Sequence, residues 1–308
     1  MIMGHIGFGH FFEVYIHSFH MPMFFIISGL FVNPYKYTFK QYIKTNVKKL
    51  LVPYASVGAF SFIVWWIAYK DQRSFAPLIR LFTFNSKSLP ISGALWYLTA
   101  FFTAQIIIYI IIRFINNIYI QSCTVVILSL LGCLETYLFP NRLPLSIGPG
   151  LVGVGLIYFG YIVSKKHFLE NRLKKVNVPK WTVLFILSLL LIWINGMVNM
   201  RNAQYHHIPL FWINAIFCTI LGIEFFYMLD AKKPRHIYKI IAYMGKNSII
   251  FLCLNQMVIL FSQQIVKMLG LENKYINHFF VLLITLIILY LISYFALNTK
   301  LKIIFGKK

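Results

Sequence analysis

Two histidines stand where apolar runs meet polar chain. His5 follows Gly4 at the close of a short apolar piece. His20 opens the run Phe19-His20-Met21-Pro22-Met23-Phe24-Phe25-Ile26-Ile27-Ser28-Gly29-Leu30-Phe31. An imidazole titrates near neutrality, so a histidine at the mouth of a membrane helix can take a proton from a hydroxyl and hand it on. The competing reading is an interfacial ring bonded to backbone or lipid headgroup, and His10 and His17 are read that way. His17-x-x-His20 and His206-His207 raise the question of a metal, but only Glu13 stands nearby as a further ligand, and zinc usually takes three protein ligands. No metal is expected. Glu135 and Glu224 fall inside apolar runs, where ionisable side chains default to function; for Glu224 a protonated structural carboxyl competes with that reading. The four cysteines, Cys123, Cys133, Cys218 and Cys253, lie in apolar runs without a Cys-x-x-Cys pair and read as small core residues.

The elements that must position these residues are membrane helices. Of 308 residues, 59% are hydrophobic and 12% charged, with mean hydropathy +0.74; a soluble domain carries about 25% charged residues. The apolar runs are long and continuous, unlike the roughly ten-residue alternating strands of a membrane barrel. The fold expected is all-α: a polytopic transmembrane bundle, one integral domain over 1–308. About nine full spans are expected, at 18–34, 51–69, 94–115, 122–139, 145–163, 181–198, 208–229, 247–265 and 277–297, because about twenty apolar residues cross a bilayer. Pro22 would then sit in the first turn of its helix, where a missing N–H is tolerated. Ser28-Gly29 offers a small surface for close approach of another helix. Lys36, Lys40, Lys44, Lys48 and Lys49 read as an amphipathic interfacial linker.

The net charge of +22 would suggest nucleic acid in a soluble protein. Here the basic residues cluster between spans, so the partner expected is the bilayer and no nucleic acid. Placing the Lys36–Lys49 linker in the cytoplasm and alternating puts the basic segments 164–180, 230–246 (with Lys232, Lys233 and Lys246) and 300–308 there too, as the positive-inside rule requires. The loop at 70–93, with Lys87, is a partial exception. The C-terminus is then cytoplasmic, and His5, His17 and His20 face outward. A helix ending at His5 on the outer side needs about fifteen more residues to span, so the first helix reads as truncated.

Several short blocks resemble the acyltransferase-3 family of integral membrane acyltransferases, most of all the branch that O-acetylates surface polysaccharides. Gly4-His5 resembles its helix-one glycine-histidine, and Phe19 to Gly29 its helix-two signature. Lys48-Lys49-Leu50-Leu51-Val52-Pro53-Tyr54 is similar to the basic-aliphatic-Pro-Tyr lead into helix three. Leu95-Trp96-Tyr97-Leu98, Tyr158-Phe159-Gly160-Tyr161, Asn195-Gly196-Met197-Val198-Asn199-Met200 and Gly245-Lys246-Asn247-Ser248 lend support. The chain departs from the family in lacking its helix-one Arg and acidic residue, and in carrying Asn255 where a His often stands.

The resemblance implies transfer of an acetyl or short acyl group from acyl-CoA, as co-substrate, to a carbohydrate hydroxyl in the cell membrane. It makes His5 the general base and His20 a second catalytic group that orients or contacts substrate. Lys48, Lys49 and Lys246 would meet the donor phosphates as point charges, although the positive-inside rule also accounts for them. Trp96, Asn195, Asn199, Tyr205 and Glu224 would contact the acceptor, with an aromatic belt the alternative for Trp96. A homodimer is left open. The rival readings are a polysaccharide exporter, against which no internal repeat is found, and a non-catalytic truncated remnant.

Overall fold

The computed structural model describes residues 1–86, 90–230, 235–270 and 273–307; Lys87, Lys232, Lys233 and Lys308 lie outside them. The described residues form helices and no named strand. In hydrocarbon every backbone N–H and C=O must find a partner within the segment, and a helix achieves that. In chain order the helices are α1 (Ile2–Ile6), α2 (His10–Leu30), α3 (Phe39–Asn46), α4 (Val52–Ala68), α5 (Ala76–Phe82), α6 (Trp96–Phe114), α7 (Ile118–Cys133), α8 (Glu135–Leu138), α9 (Ile147–Lys165), α10 (Phe168–Leu173), α11 (Val178–Asn195), α12 (Ile208–Asp230), α13 (Arg235–Lys246), α14 (Ser248–Met268) and α15 (Lys274–Asn298). Side-chain caps start several of them: Thr38 and Gln41 form a capping box on α3, and Asn117, Asn177 and Asn273 cap α7, α11 and α15.

Among the described residues, seven helices are long and apolar enough to cross a membrane, against the nine expected. The other two expected spans belong to α7, which has 16 residues, and to α2, which is long enough but carries His10, Glu13, His17, His20 and Pro22. Two boundaries also differ. α2 starts at His10 rather than near residue 18, so Pro22 lies inside the helix, where it leaves the Ser18 carbonyl without its usual donor. His20 is therefore buried mid-helix and not at a helix mouth. The lysine linker is not a separate interfacial helix. α3, a π turn at Val47–Leu51 and α4 run on as one 30-residue helix, Phe39–Ala68. Pro53 cannot donate to the Lys49 carbonyl, and Val52 N–H reaches back five residues to Val47.

α2 and α9 cross at the centre. α6 and α7 pack on α9, α12 joins α2 to α11, and α14 pairs with α15. At the crossing a Cβ added to Gly29 would lie 2.1 Å from the Ile157 carbonyl oxygen, and one on Gly160 would lie 2.1 Å from that of Ile26. Only glycines allow this approach, which is the close contact expected of Ser28-Gly29. The basic segments gather at one end of the bundle. There Ser164 Oγ donates to Leu30 O (3.0 Å), Tyr109 OH to Tyr37 O (2.9 Å) and Trp181 Nε1 to Leu221 O (3.0 Å).

Candidate active site

The first half of α2 carries two imidazoles one turn apart. His17 Nδ1 donates to the Glu13 carbonyl (2.8 Å) and His20 Nδ1 to the Ile16 carbonyl (2.7 Å). A carbonyl can only accept, so each Nδ1 carries a proton and Nε2 is the ring atom left free of a protein partner among the described residues. The rings meet edge to face, with centroids 5.1 Å apart. His20 is 8% exposed. His5, on the short α1, is exposed and makes no hydrogen bond among the described residues. Its neighbour Gly4 packs on His17, and desolvation by burial, then the Met1 amine, His17 and Arg201, lower the His5 pKa to about 4.

Arg201 comes from the loop between α11 and α12. Its Nε donates to the Ser86 carbonyl (3.1 Å), and its Nη2 is buried without a partner among the described residues. Gly93, just before α6, makes room for the guanidinium: a Cβ there would lie 2.7 Å from Nη1 and 2.8 Å from Gln256 Oε1. Burial, and then the charge of Arg142, hold Arg201 below its usual range. A bound anion would relieve both effects.

Lysines gather at the opposite end of α2. Lys48 and Lys49 are exposed on the π turn, and Lys246 is exposed at the close of α13. The chain's tail docks on that turn. Gly306, at φ +69°, sits where a Cβ would lie 2.2 Å from the Lys48 carbonyl oxygen. Lys307 Nζ then donates to Lys246 O (3.2 Å) and Asn247 Oδ1 (3.3 Å). Burial, then Lys246 and Lys49, lower the Lys307 amine from its usual value. None of these four lysines is ion-paired among the described residues.

A cavity of about 250 Å³ is lined by α2, α6, α14 and Leu50 of the π turn, with neither the histidines nor the lysines in its lining. Its lining includes Leu50 and Ser248, chain neighbours of Lys49 and Lys246, together with Phe24, Ile27 and Ser28 of α2 and Tyr97 of α6. Residues 20, 24, 27 and 28 share one face of a helix, so the α2 wall of this slot continues the face that bears His20. Ser28 and His20 are eight residues apart, about 12 Å along the axis. Gln105 Nε2 donates to Ser28 Oγ (3.3 Å) and Tyr42 OH bonds to Gln105, tying α2, α6 and α3 together at this level.

The remaining expected site residues are dispersed. Trp96 is buried at the start of α6. Asn195 clasps the loop that carries Arg201, donating to Tyr205 O (3.4 Å) and accepting from His207 N (3.2 Å). Asn199 Oδ1 accepts from Asn202 N (3.2 Å) in the same loop. Tyr205 is buried, its hydroxyl without a partner among the described residues, and burial raises its pKa. These three residues shape the loop rather than line the histidine cluster. Glu224 is not with them: it lies near the basic end of α12, ion-paired with Arg172. Glu135 is likewise paired, to Arg142 (2.9 Å), and accepts from Leu143 N (2.8 Å). Arg201, Gln256, Gln105 and Lys307 are the contributors that the sequence did not single out.

A family model described as an acyltransferase domain matches residues 1–297. No curated protein and no solved structure matches the chain.

Proposed function

This chain belongs to the acyltransferase-3 family, and from that membership and the site's geometry we infer a membrane O-acyltransferase. It moves an acetyl or short acyl group from acyl-CoA to a hydroxyl of a cell-surface carbohydrate or its precursor. The basic end faces the cytoplasm, as the positive-inside rule asks, so the donor arrives there. Lys48, Lys49 and Lys246, joined by Lys307, meet its phosphates. The donor's thioester arm runs up the slot toward His20, and the acceptor reaches exposed His5 from the other side.

In the transfer, the acceptor hydroxyl gives its proton to His5 as its oxygen attacks the thioester carbonyl carbon. The tetrahedral oxyanion collapses, the C–S bond breaks and the CoA thiolate leaves. The proton held on His5 passes to that thiolate, and the products are the O-acyl ester and the free thiol. His20 orients the thioester. Arg201 supplies fixed positive charge at the end where the oxyanion forms, the kind of preorganised stabilisation that water cannot give.

The observation that carries this reading is the helical face on which His20, Phe24, Ile27 and Ser28 line up. It puts His20 on the same helical face as the slot's α2 lining, and the slot's other walls include Leu50 and Ser248, chain neighbours of Lys49 and Lys246. The test is the alkali-labile acetyl content of surface glycans in cells expressing parent, His5→Ala or His20→Ala protein. A general base contributes about 10²- to 10⁴-fold, so His5→Ala should fall to background, and His20→Ala should lower the acetyl content through a misplaced thioester, both at parental abundance in the membrane. A His5→Ala protein that acetylates at the parental level overturns the assignment of the base.

A further inference from the structure

Away from the slot, the basic segment after α9 folds onto the start of α11 and the end of α12. The open cavity formed there measures about 240 Å³ and is lined by three cations, Arg172, Lys175 and Lys180, together with Phe168, Trp181 and Glu224. Glu224 is 3% exposed and bonded to Arg172 Nε, so it offsets one positive charge. The neighbouring carboxylate on α10, Glu170, is engaged with His167 at 3.2 Å. Lys175 and Lys180 have no acidic partner among the described residues, which leaves a surplus of two positive charges around one cavity.

Both lysines are exposed, as positive-inside sorting would also leave them, and they border an apolar wall. The Trp181 ring stacks between Phe185 and Phe225, with centroids 5.2 and 5.4 Å away. One turn beyond Lys180, α11 turns Val183, Ile186, Leu187 and Leu190 outward, all exposed. These positions form one helical stripe that runs away from the cations. A ligand matching both features has an anionic head and apolar tails.

We propose that this cavity binds the headgroup of an anionic glycerophospholipid. The phosphate meets Lys175, Lys180 and the terminal nitrogens of Arg172, and the acyl chains lie along the α11 stripe. This site is separate from the acyl-transfer reading and stands or falls without it. Each lysine or arginine close to an anionic lipid surface is worth about 1 kcal/mol, roughly fivefold in affinity.

The test uses the full chain in a neutral detergent, with dioleoylphosphatidylglycerol titrated and binding read by native mass spectrometry. Phosphatidylglycerol should bind well above dioleoylphosphatidylcholine. Lys175→Gln should weaken it about fivefold and Lys175→Gln/Lys180→Gln about 25-fold, with phosphatidylcholine binding unchanged. Glycerol 3-phosphate and coenzyme A should not displace the lipid. Equal binding of phosphatidylglycerol by parent and double variant overturns the proposal. So does displacement by either soluble phosphate, which would make the cavity a site for a water-borne anion. Both lysines are exposed, and if the double variant does not run as a single species on size exclusion, the two single variants carry the same comparison.

Discussion

Replacing Gly29 with alanine should drive α2 off α9. The new methyl would lie 2.1 Å from the Ile157 carbonyl oxygen and 3.0 Å from Gly160 Cα. Ordinary contact begins at 3.4 Å, so the helices must part by about 1.3 Å, the difference between 3.4 and 2.1. Both opposing atoms are backbone, and neither can swing aside as a side chain would. Overpacking costs about 1–3 kcal/mol, and a rigid obstacle places this site at the upper end. Alanine returns about 1 kcal/mol through its better helix propensity. The net loss expected is about 2 kcal/mol, close to 30-fold in the ratio of folded to unfolded protein. Gly160→Ala meets the Ile26 carbonyl oxygen at the same 2.1 Å and should cost as much. The double variant should cost less than the sum by about 1 kcal/mol, because the first methyl has already opened the gap that the second needs. Gly222→Ala is the control, since its methyl would meet only Met23 Sδ at 3.9 Å. Denaturant unfolding in a mild detergent, with the folded fraction read by size exclusion, measures all four proteins. A Gly29→Ala protein as stable as the parent, or penalties that simply add, would mean that the two helices do not cross at these glycines.

Two other outcomes follow from the charges. Arg142→Met leaves the fully buried Glu135 carboxylate with only the Leu143 N–H and should destabilise by about 3 kcal/mol; adding Glu135→Gln should recover most of that loss in the same unfolding assay. Lys307 is held below its usual value by burial and by Lys246 and Lys49, so the folded protein releases this proton at a lower pH than the unfolded chain does. Stability should therefore rise with pH across the window just below the ordinary lysine value of 10.5 and level off above it. Lys307→Met should flatten that rise and be the more stable protein at neutral pH, as thermal unfolding across a pH series would show.

What could be read from the sequence was whatever rests on local pattern. The apolar runs fix seven of the crossing helices because hydropathy is a property of neighbours in the chain. Ser28-Gly29 announces a close approach because small residues in an apolar helix leave backbone bare, and Gly29 does meet α9. The start of α2 is hidden in the sequence for the same local reason. His10, Glu13 and His17 interrupt the apolar pattern, so the apolar run begins near residue 18, whereas the helix starts at His10, directly after Gly9 at φ +110°.

The parts of the site that were not legible are those made by distant chain. Arg201 looks like one more loop cation until it is seen bonded to Ser86, 115 residues upstream, beside the space that Gly93 leaves. Lys307 looks like part of a basic tail until Gly306 seats it on the π turn and it reaches Lys246, 61 residues away. Glu224 shows the converse. Its burial was legible from the apolar run around it, but its partner lies 52 residues away on α10. There the Arg172 guanidinium engages Oε1 and ties the carboxylate to the basic end of the bundle. The same accounting favours the α2 histidines, because their local backbone bonds occupy Nδ1 and leave Nε2 unspent. In both cases what decides a residue's chemistry is which of its polar atoms the fold has already used.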